Sequence, residues 1–517
     1  MNVVVVGGGV AGLVAARDFA HAGHAVTVFE ASSTWGGALG KHQLAGLTLD
    51  SGAESFATRT DAVANLASEL GLGEHIVRPL PGGAWVQLPQ GPRELPKTGV
   101  LGIPANPWDP EVRRTLGWWG SLRASMDTLM PPAWGTEAEL SSVAELVQRR
   151  MGQRVLKRLV EPVVGGVHAA SAALLDVDMV APGLRPGIQE QGSLAKAVKA
   201  QRARPAAAGS AVAGISGGMH RLVESLLEDL RKHRVVLQRG LSVVSMSRTD
   251  GSQTDLTLGQ RADDDGTTVE GSAAEIAPLW RVRTTQGEAL ASHVVVALDG
   301  PNAVDLLAPS IPEMVPFRPG AGPNVKLVTL VVRAPKLDAR PRGTGILVAP
   351  QRAATPGEAA RTETAGTSNI RAKALTHVTG KWEWTAQEAA AAVGPGTHVL
   401  RLSYGRQAEA NSDAAATVSS VTNHSDEELL EIALADATAL LGVPLVEADV
   451  EAWDVVTWQG ALPFAAVGHK NRVAQVRQLA RGQSGLSVIG AWLAGTGLAA
   501  VVADARAAVR GVIEQGT

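Results

Sequence analysis

No cysteine occurs anywhere in the 517 residues. Disulfides, cysteine-ligated zinc, cysteine-held iron-sulfur clusters and a thioether-linked prosthetic group are therefore excluded. The chain has no long basic run and a formal net charge of -3, which gives a nucleic acid partner no support. Its 12 histidines are scattered, without H-E-x-x-H, a serine-histidine-aspartate pattern or any metal-ligand spacing, so no metal is expected and nucleophilic catalysis has no support. Long apolar runs are also lacking. Gly485 to Ala503 is 19 residues without a charge, but Gly490, Gly495 and Gly497 interrupt it. It reads as a strand over Leu486 to Ile489, a glycine loop and a helix from Leu498 to about Gly511 rather than a transmembrane segment. The first residues form a strand, with neither a charged n-region nor a cleavage site, so no signal peptide and a cytoplasmic location are expected.

What the chain does have is a hydrophobic fraction of 45% and a length that implies roughly three domains. Val3 to Val6 form a continuous β-branched run, as in a strand buried on both faces of a parallel sheet. Gly7, Gly9 and Gly12 follow at G-x-G-x-x-G spacing, then a helix to His21, a second strand over Ala25 to Phe29, and Glu30 at its end. This order predicts a dinucleotide cradle: a tight turn, close backbone approach to a pyrophosphate, helix amides facing an anion, and an acid for a ribose hydroxyl. Gly36-Gly37 and the run Gly52-Ala53-Glu54-Ser55 come shortly after. Far away, Gly490 to Leu498 repeats a glycine-rich strand-loop-helix, placed to bring a second helix start to the same ligand.

Between these ends the pattern changes. A helix is expected within Asp61 to Leu72, short strands at Trp85 to Leu88 and Arg93 to Pro96, and helices from Asp109 to about Asp176, with caps at Asp109 and Ser141. A helix over Arg221 to Lys232 then leads to strands at Val235 to Leu237 and His293 to Leu298 that return to the first sheet. Strands at Val325 to Val332, Gly345 to Val348, Ala372 to His377 and His398 to Tyr404, with a helix over Glu427 to Leu441, indicate an antiparallel, helix-backed domain. The polar stretches 249–278 and 350–369 read as solvated insertions. Lys381-Trp382-Glu383-Trp384 reads as a cavity face or an amphipathic strand end, His469-Lys470 as a capped, solvated helix start, and Asp176 with Asp178 as a helix-end feature.

Several stretches together resemble the flavin-dependent coproporphyrinogen III and protoporphyrinogen IX oxidases, within the FAD-binding amine oxidase superfamily. They include GGGVAGL at Gly7, FEASSTWGG at Phe29, GAESF at Gly52, ELPKTGVLGIP at Glu94 and LVEPVVGGVHA at Leu159. SGGMHRLVESL at Ser216, WQGALPFAAVGHKNRV at Trp458 and IGAWLAGTGLAAVVADARAAV at Ile489 follow in family order. Among members the chain is most similar to the soluble enzymes of Gram-positive bacteria, for which coproporphyrinogen III is the implied substrate.

The resemblance implies an α/β fold: a Rossmann-like FAD-binding domain (1–75, 215–300 and 450–517), an antiparallel-sheet substrate domain (76–104, 185–214 and 301–449) and a helical insertion (105–184). Carried over by position, contacts to a non-covalent FAD fall on Gly7, Gly8, Gly9, Val10, Ala11, Gly12, Glu30, Ala31, Gly36, Gly37, Gly52, Ala53, Glu54, Ser55, Val243, Ala491, Thr496, Gly497 and Leu498. Val167 falls beside the substrate, and Lys381 is a candidate for its propionates. The implied chemistry takes a porphyrinogen and molecular oxygen to porphyrin and hydrogen peroxide, with no side-chain acid or base required and with a transient ferrochelatase contact as a further expectation. The chain departs from the family pattern at His168, at Ala494 and at Ala499-Ala500-Val501, where members often carry tyrosine, an acid and Pro-Asp-Cys. Protoporphyrinogen IX oxidation, amine oxidation and a non-catalytic flavin-binding role stay open at this point. One tyrosine, Tyr404, supplies little for the aromatic cage that amine oxidation generally wants, although 12 tryptophans are present.

Overall fold

The computed structural model describes residues 1–88, 90–95, 99–136, 142–168, 170–203, 212–249, 261–262, 268–269, 280–320, 322, 324–349, 370–405, 424–460, 467–495 and 497–516. The expected insertions at 249–278 and 350–369 lie outside them, apart from Thr249 and the short antiparallel pair Arg261–Ala262 with Thr268–Val269.

Five parallel strands form one sheet, in the order Val236–Arg239, Ala25–Glu30, Asn2–Val6, His293–Val296 and Leu486–Val488. The valine run sits at its centre because it can be dry on both sides. Val3 and Val5 join a core with Leu13, Val14 and Phe19 of the helix Val10–His21, Leu226 of the helix His220–Lys232 and Val502 of the helix Leu498–Gly516. Val4 and Val6 face the other way, toward Trp280, Val294 and Val304. Alternate side chains of one strand thus bind helices to both faces of the sheet.

A second sheet has seven strands: Val450–Trp458, Val325–Arg333, Thr397–Tyr404, Ala374–His377, Gly345–Val348, Ala84–Leu88 and Gly91–Glu94. Its pairs are antiparallel except Gly345–Val348 with Ala84–Leu88, which is parallel and departs from the expected all-antiparallel pattern. The helix Asp426–Leu441 covers one face, starting in a capping box between Ser425 and Glu428 and burying Leu429, Ala433 and Leu440 against Val328, Leu330 and Leu402. On the opposite face Val331 and Val399 pack with Trp382, Ala389 and Leu44, Leu47 and Leu49 of the hairpin Lys41–Leu44/Leu47–Asp50. That hairpin follows the first glycine loop, so it couples the two sheets.

Helices between Pro110 and Ala203 have their own core, which includes Leu116, Leu146, Val147, Leu159 and Val198. Ser142, one residue beyond the expected Ser141, caps the helix Val143–Met151 by accepting from the Glu145 amide; Ser141 lies outside the described residues. Leu184, Ile188 and Leu194 also lie in this core, so residues 184–198 pack with the helices and not with the sheet to which 185–214 was assigned. At its centre Arg150 Nε donates to Asp127 Oδ1 at 2.5 Å, both side chains being almost fully buried. Among the described residues no helix is long and apolar enough to cross a membrane.

Candidate dinucleotide site

The first loop is closed by its own glycines. An ideal Cβ on Gly12 would stand 1.9 Å from the Gly7 carbonyl oxygen, so the helix Val10–His21 reaches the sheet only without a side chain there. Gly7 itself has φ +108, a turn conformation that L side chains disfavour. Gly9 differs: a Cβ there meets no atom within 4 Å, so this glycine leaves space open above the helix start. Gly9 also occupies the N-cap, where no side chain satisfies the first-turn amides and no acid stands in the first turn. An anion at that end fits both the free donors and the helix dipole.

Glu30 closes the side of the loop. Its Oε2 accepts from the Gly8 amide at 2.6 Å and its Oε1 from the Ser32 amide at 2.8 Å, which fixes the carboxylate and leaves each oxygen a lone pair for a hydroxyl donor. Ala31 follows it at the exposed strand end. The Gly36 amide bonds the Gly8 carbonyl at 2.9 Å, and Gly37 comes against the Gly9 backbone. The Leu241 amide bonds the Glu30 carbonyl at 3.0 Å, and this contact brings the strand Val243–Arg248, with Val243 at its start, beside the acid.

The second predicted segment is held from the seven-stranded sheet. Arg401 Nη1 donates to the Gly52 carbonyl at 2.8 Å, and Arg401 Nη2 lies 3.1 Å from Glu54 Oε2. Lys381 Nζ completes the arrangement at 2.6 Å from Glu54 Oε1. Burial alone would raise the Glu54 carboxyl, but Arg401 and Lys381 outweigh it and hold the pKa at about 2. The Ala53 amide bonds the Ala38 carbonyl at 2.9 Å, and Ser55 beside it is half-buried. Glu54 is thus an anchor between sheets, and Lys381 is its partner instead of a cation left for a substrate carboxylate.

At the far end, Ala491 and Leu498 pack against the same core as Val10 and Ala11, and the helix Leu498–Gly516 packs on the helix Val10–His21, so the two glycine loops lead into helices that share one core. The Ala500 and Val501 amides bond the Gly497 carbonyl, which starts the last helix; Thr496 lies outside the described residues. Val167 belongs to the helix Glu161–His168, which lies against the strand Gly345–Val348, and its side chain is outside the described set.

Two sequence expectations are corrected. Lys381 to Trp384 is not a strand end: a helical turn, Val378–Lys381, and the helix Glu383–Ala392 meet there, because buried Trp382 must turn under the sheet. Trp382, Glu383 and Trp384 do line a cleft of about 410 Å³, with Arg78 and Leu80 opposite. His469 is not solvated: it is 3% exposed, its Nε2 lies 2.6 Å from the Trp492 carbonyl oxygen, and burial lowers its pKa. Asp176 caps the helix Val177–Val180, as expected of a helix-end residue.

Sequence reading missed Asp50 and Trp458 as site builders. Asp50 accepts from the amides of Met219 and His220 and contacts the His220 ring at 2.9 Å, so it caps the start of the helix His220–Lys232. Trp458 donates from Nε1 to the Ser51 carbonyl at 2.9 Å and lays its ring against Gly52. The run Gly52-Ala53-Glu54-Ser55 marks the segment in the sequence, but not these distant partners.

Comparison with known proteins gives the family and the fold. The chain is 29% identical over 511 residues to a coproporphyrinogen III oxidase of Mycobacterium leprae, covering 98% of this chain and 96% of that protein. It is 24% identical over 523 residues to one of Bacillus subtilis, covering 98% and 97%. A solved structure from Exiguobacterium sp. 255-15 superposes with a TM-score of 0.75 at 23% identity over 99% of both chains. Cyclohexylamine oxidase from Brevibacterium oxydans does so at 0.61 and 14%, again over 99% of both. These two likenesses establish the fold. Residues 10–513 match the family described as flavin containing amine oxidoreductase, and with its glycine loops leading into helices that share one core the chain belongs to that family and is a flavin oxidoreductase.

Proposed function

We propose that this protein oxidises coproporphyrinogen III to coproporphyrin III, using non-covalent FAD and molecular oxygen and releasing hydrogen peroxide. The observation that carries the reading is a likeness to coproporphyrinogen III oxidases that runs the length of both chains. The residues present fit the cofactor: Gly9 leaves open space at an uncapped helix start, and Glu30 is fixed with acceptor capacity to spare. Bound FAD would supply hydride acceptance from the macrocycle and electron transfer to oxygen. The chain's own part is to hold and to orient. The first-turn amides of the helix Val10–His21 take the pyrophosphate, Glu30 takes the adenosine ribose, and the loop at Gly490 to Leu498 receives the redox end.

The three-part division belongs to the same proposal, with 184–198 counted in the helical part, and Val167 is kept as the residue beside the substrate. Lys381 is withdrawn from the propionate role because Glu54 engages it. A cytoplasmic setting and a transient handover of product to ferrochelatase complete the reading. Anaerobic mixing tests it. Coproporphyrinogen III should bleach the flavin, and readmitted oxygen should restore the colour with peroxide release. Bleaching by protoporphyrinogen IX but not coproporphyrinogen III reassigns the substrate; bleaching only by a simple amine, or by none of these, ends the proposal.

A further inference from the structure

Away from the glycine loops, the helices Val10–His21 and His220–Lys232 end side by side. His21 is the last residue of one, His233 is the C-cap of the other, and Asp229 lies in the last turn between them. One ligand atom from each of the three lies within 4.8 Å of the other two, and among the described residues no other His, Asp or Glu group does this. The two imidazoles stack with centroids 3.9 Å apart. We propose that His21, Asp229 and His233 form a binding site for a divalent late transition metal, Zn²⁺ foremost.

Four features carry this. Two imidazoles and one carboxylate are a donor set of the type zinc takes, with solvent as the fourth ligand. The rings are accessible, at 39% and 37% side-chain exposure, so an ion can enter from water. Two helix C-termini meet at this point, and the partial negative charge of each favours a cation. Finally, Arg17 and Arg506 are already balanced by Glu69 and Asp18. Arg17 sits 2.7 Å from Glu69 and 3.8 Å from Asp18, and Arg506 lies 2.6 Å from Glu69, so the carboxylate of Asp229 adds net negative charge to the cluster.

Asp229 Oδ2 is engaged by Arg17 Nε and His21 Nε2, each at 2.8 Å, whereas Oδ1 lies 3.7 Å from His233 Nδ1. Coordination would replace the His21 contact to Asp229 and the His233 Nδ1 contact to the Asp229 carbonyl, which is 2.9 Å long. Each neutral imidazole would carry its proton on the other nitrogen, facing water. The bound ion would tie the far end of the glycine-loop helix to its neighbour without touching the cofactor cradle.

Equilibrium dialysis of tag-free, flavin-loaded protein against micromolar Zn²⁺, followed by elemental analysis, tests the site. One equivalent should be retained, and Zn²⁺ should raise the thermal midpoint. His21→Gln and His233→Gln should each weaken retention at least 10-fold and abolish the thermal shift, while flavin content stays at the wild-type level. Asp229 is kept in these variants because Arg17 depends on it. Retention well below one equivalent in the wild type, or undiminished retention in either variant, overturns the proposal.

Discussion

Lys381 and Glu54 meet at 2.6 Å across 327 residues of sequence, and with Arg401 they join the segment after the glycine loop to the seven-stranded sheet. Glu54→Gln should therefore lower stability by about 3 kcal/mol at neutral pH, since it strands two buried cations. The sign with pH is set by a folded pKa of about 2 against an ordinary 4.5. The contribution is complete above pH 4.5 and disappears as pH falls toward 2. Urea midpoints of wild type and variant should thus converge in acid; a constant gap would show that the carboxylate charge is not responsible. Glu54→Gln with Lys381→Met should recover part of the loss.

Gly12 and Gly9 should separate folding from binding. Gly12→Ala places its methyl 1.9 Å from the Gly7 carbonyl, so soluble, folded protein should fall sharply. Gly9→Ala meets no protein atom within 4 Å, so the flavin-free protein should keep its thermal midpoint to within about a degree. The same methyl occupies space where a pyrophosphate would lie, and FAD affinity should fall 10-fold or more. Equal affinities for wild type and Gly9→Ala would place the dinucleotide elsewhere.

Asp436 provides a titration of opposite sense. Burial raises its pKa to about 6, although the amides of Arg371 and Ala372 and the Tyr404 hydroxyl donate to it. Because the folded pKa exceeds the ordinary 3.8, the folded state binds the extra proton between these values, and stability falls as pH rises from about 4 to 6. The loss should approach about 3 kcal/mol by neutral pH and should be absent in Asp436→Asn. Denaturation of the pair at pH 4 and pH 7 checks this.

Arg150→Met should cost about 3 to 5 kcal/mol, because it leaves Asp127 charged and buried beneath the helical core. Asp127 also accepts from the Ala195 amide at 2.9 Å, so Asp127→Asn should cost less than the arginine change. Limited proteolysis between residues 110 and 200 should accelerate in Arg150→Met before flavin is lost.

The parts legible in the sequence are those fixed over short distances. Val3 to Val6 and Gly7 to Gly12 are adjacent in chain and in space, so strand, turn and helix carry their own instructions. Ser425 and Glu428 likewise announce a helix start three residues apart. Asp50 was not readable as a cap, because the amide it holds at His220 is 170 positions away. Lys381 looked like a lone cation for the same reason: its partner appears only when the sheet and hairpin are assembled. For Lys381 to Trp384 the cavity-face reading agrees with the cleft and the strand-end alternative does not, because alternating charge and tryptophan imitate period-2 patterning whereas burial of Trp382 decides the local fold. His469 shows that polarity alone does not predict exposure, since one carbonyl of Trp492 suffices to hold an imidazole inside.

The centre of the five-stranded sheet pairs Val3 with His293, and the sheet is finished only by Leu486–Val488. In a growing chain Asn2–Val6 and its glycine loop are therefore made hundreds of residues before the flanking strand His293–Val296. Until then Asn2–Val6 presents an unpaired apolar edge, a template for mispairing with a neighbouring nascent chain. The five-stranded sheet is complete only once Leu486–Val488 has been made and paired with His293–Val296, so no earlier fragment contains it whole. Such a chain has a direct need for chaperone cover during translation, and truncated products should collect as aggregates in place of partial holoenzyme.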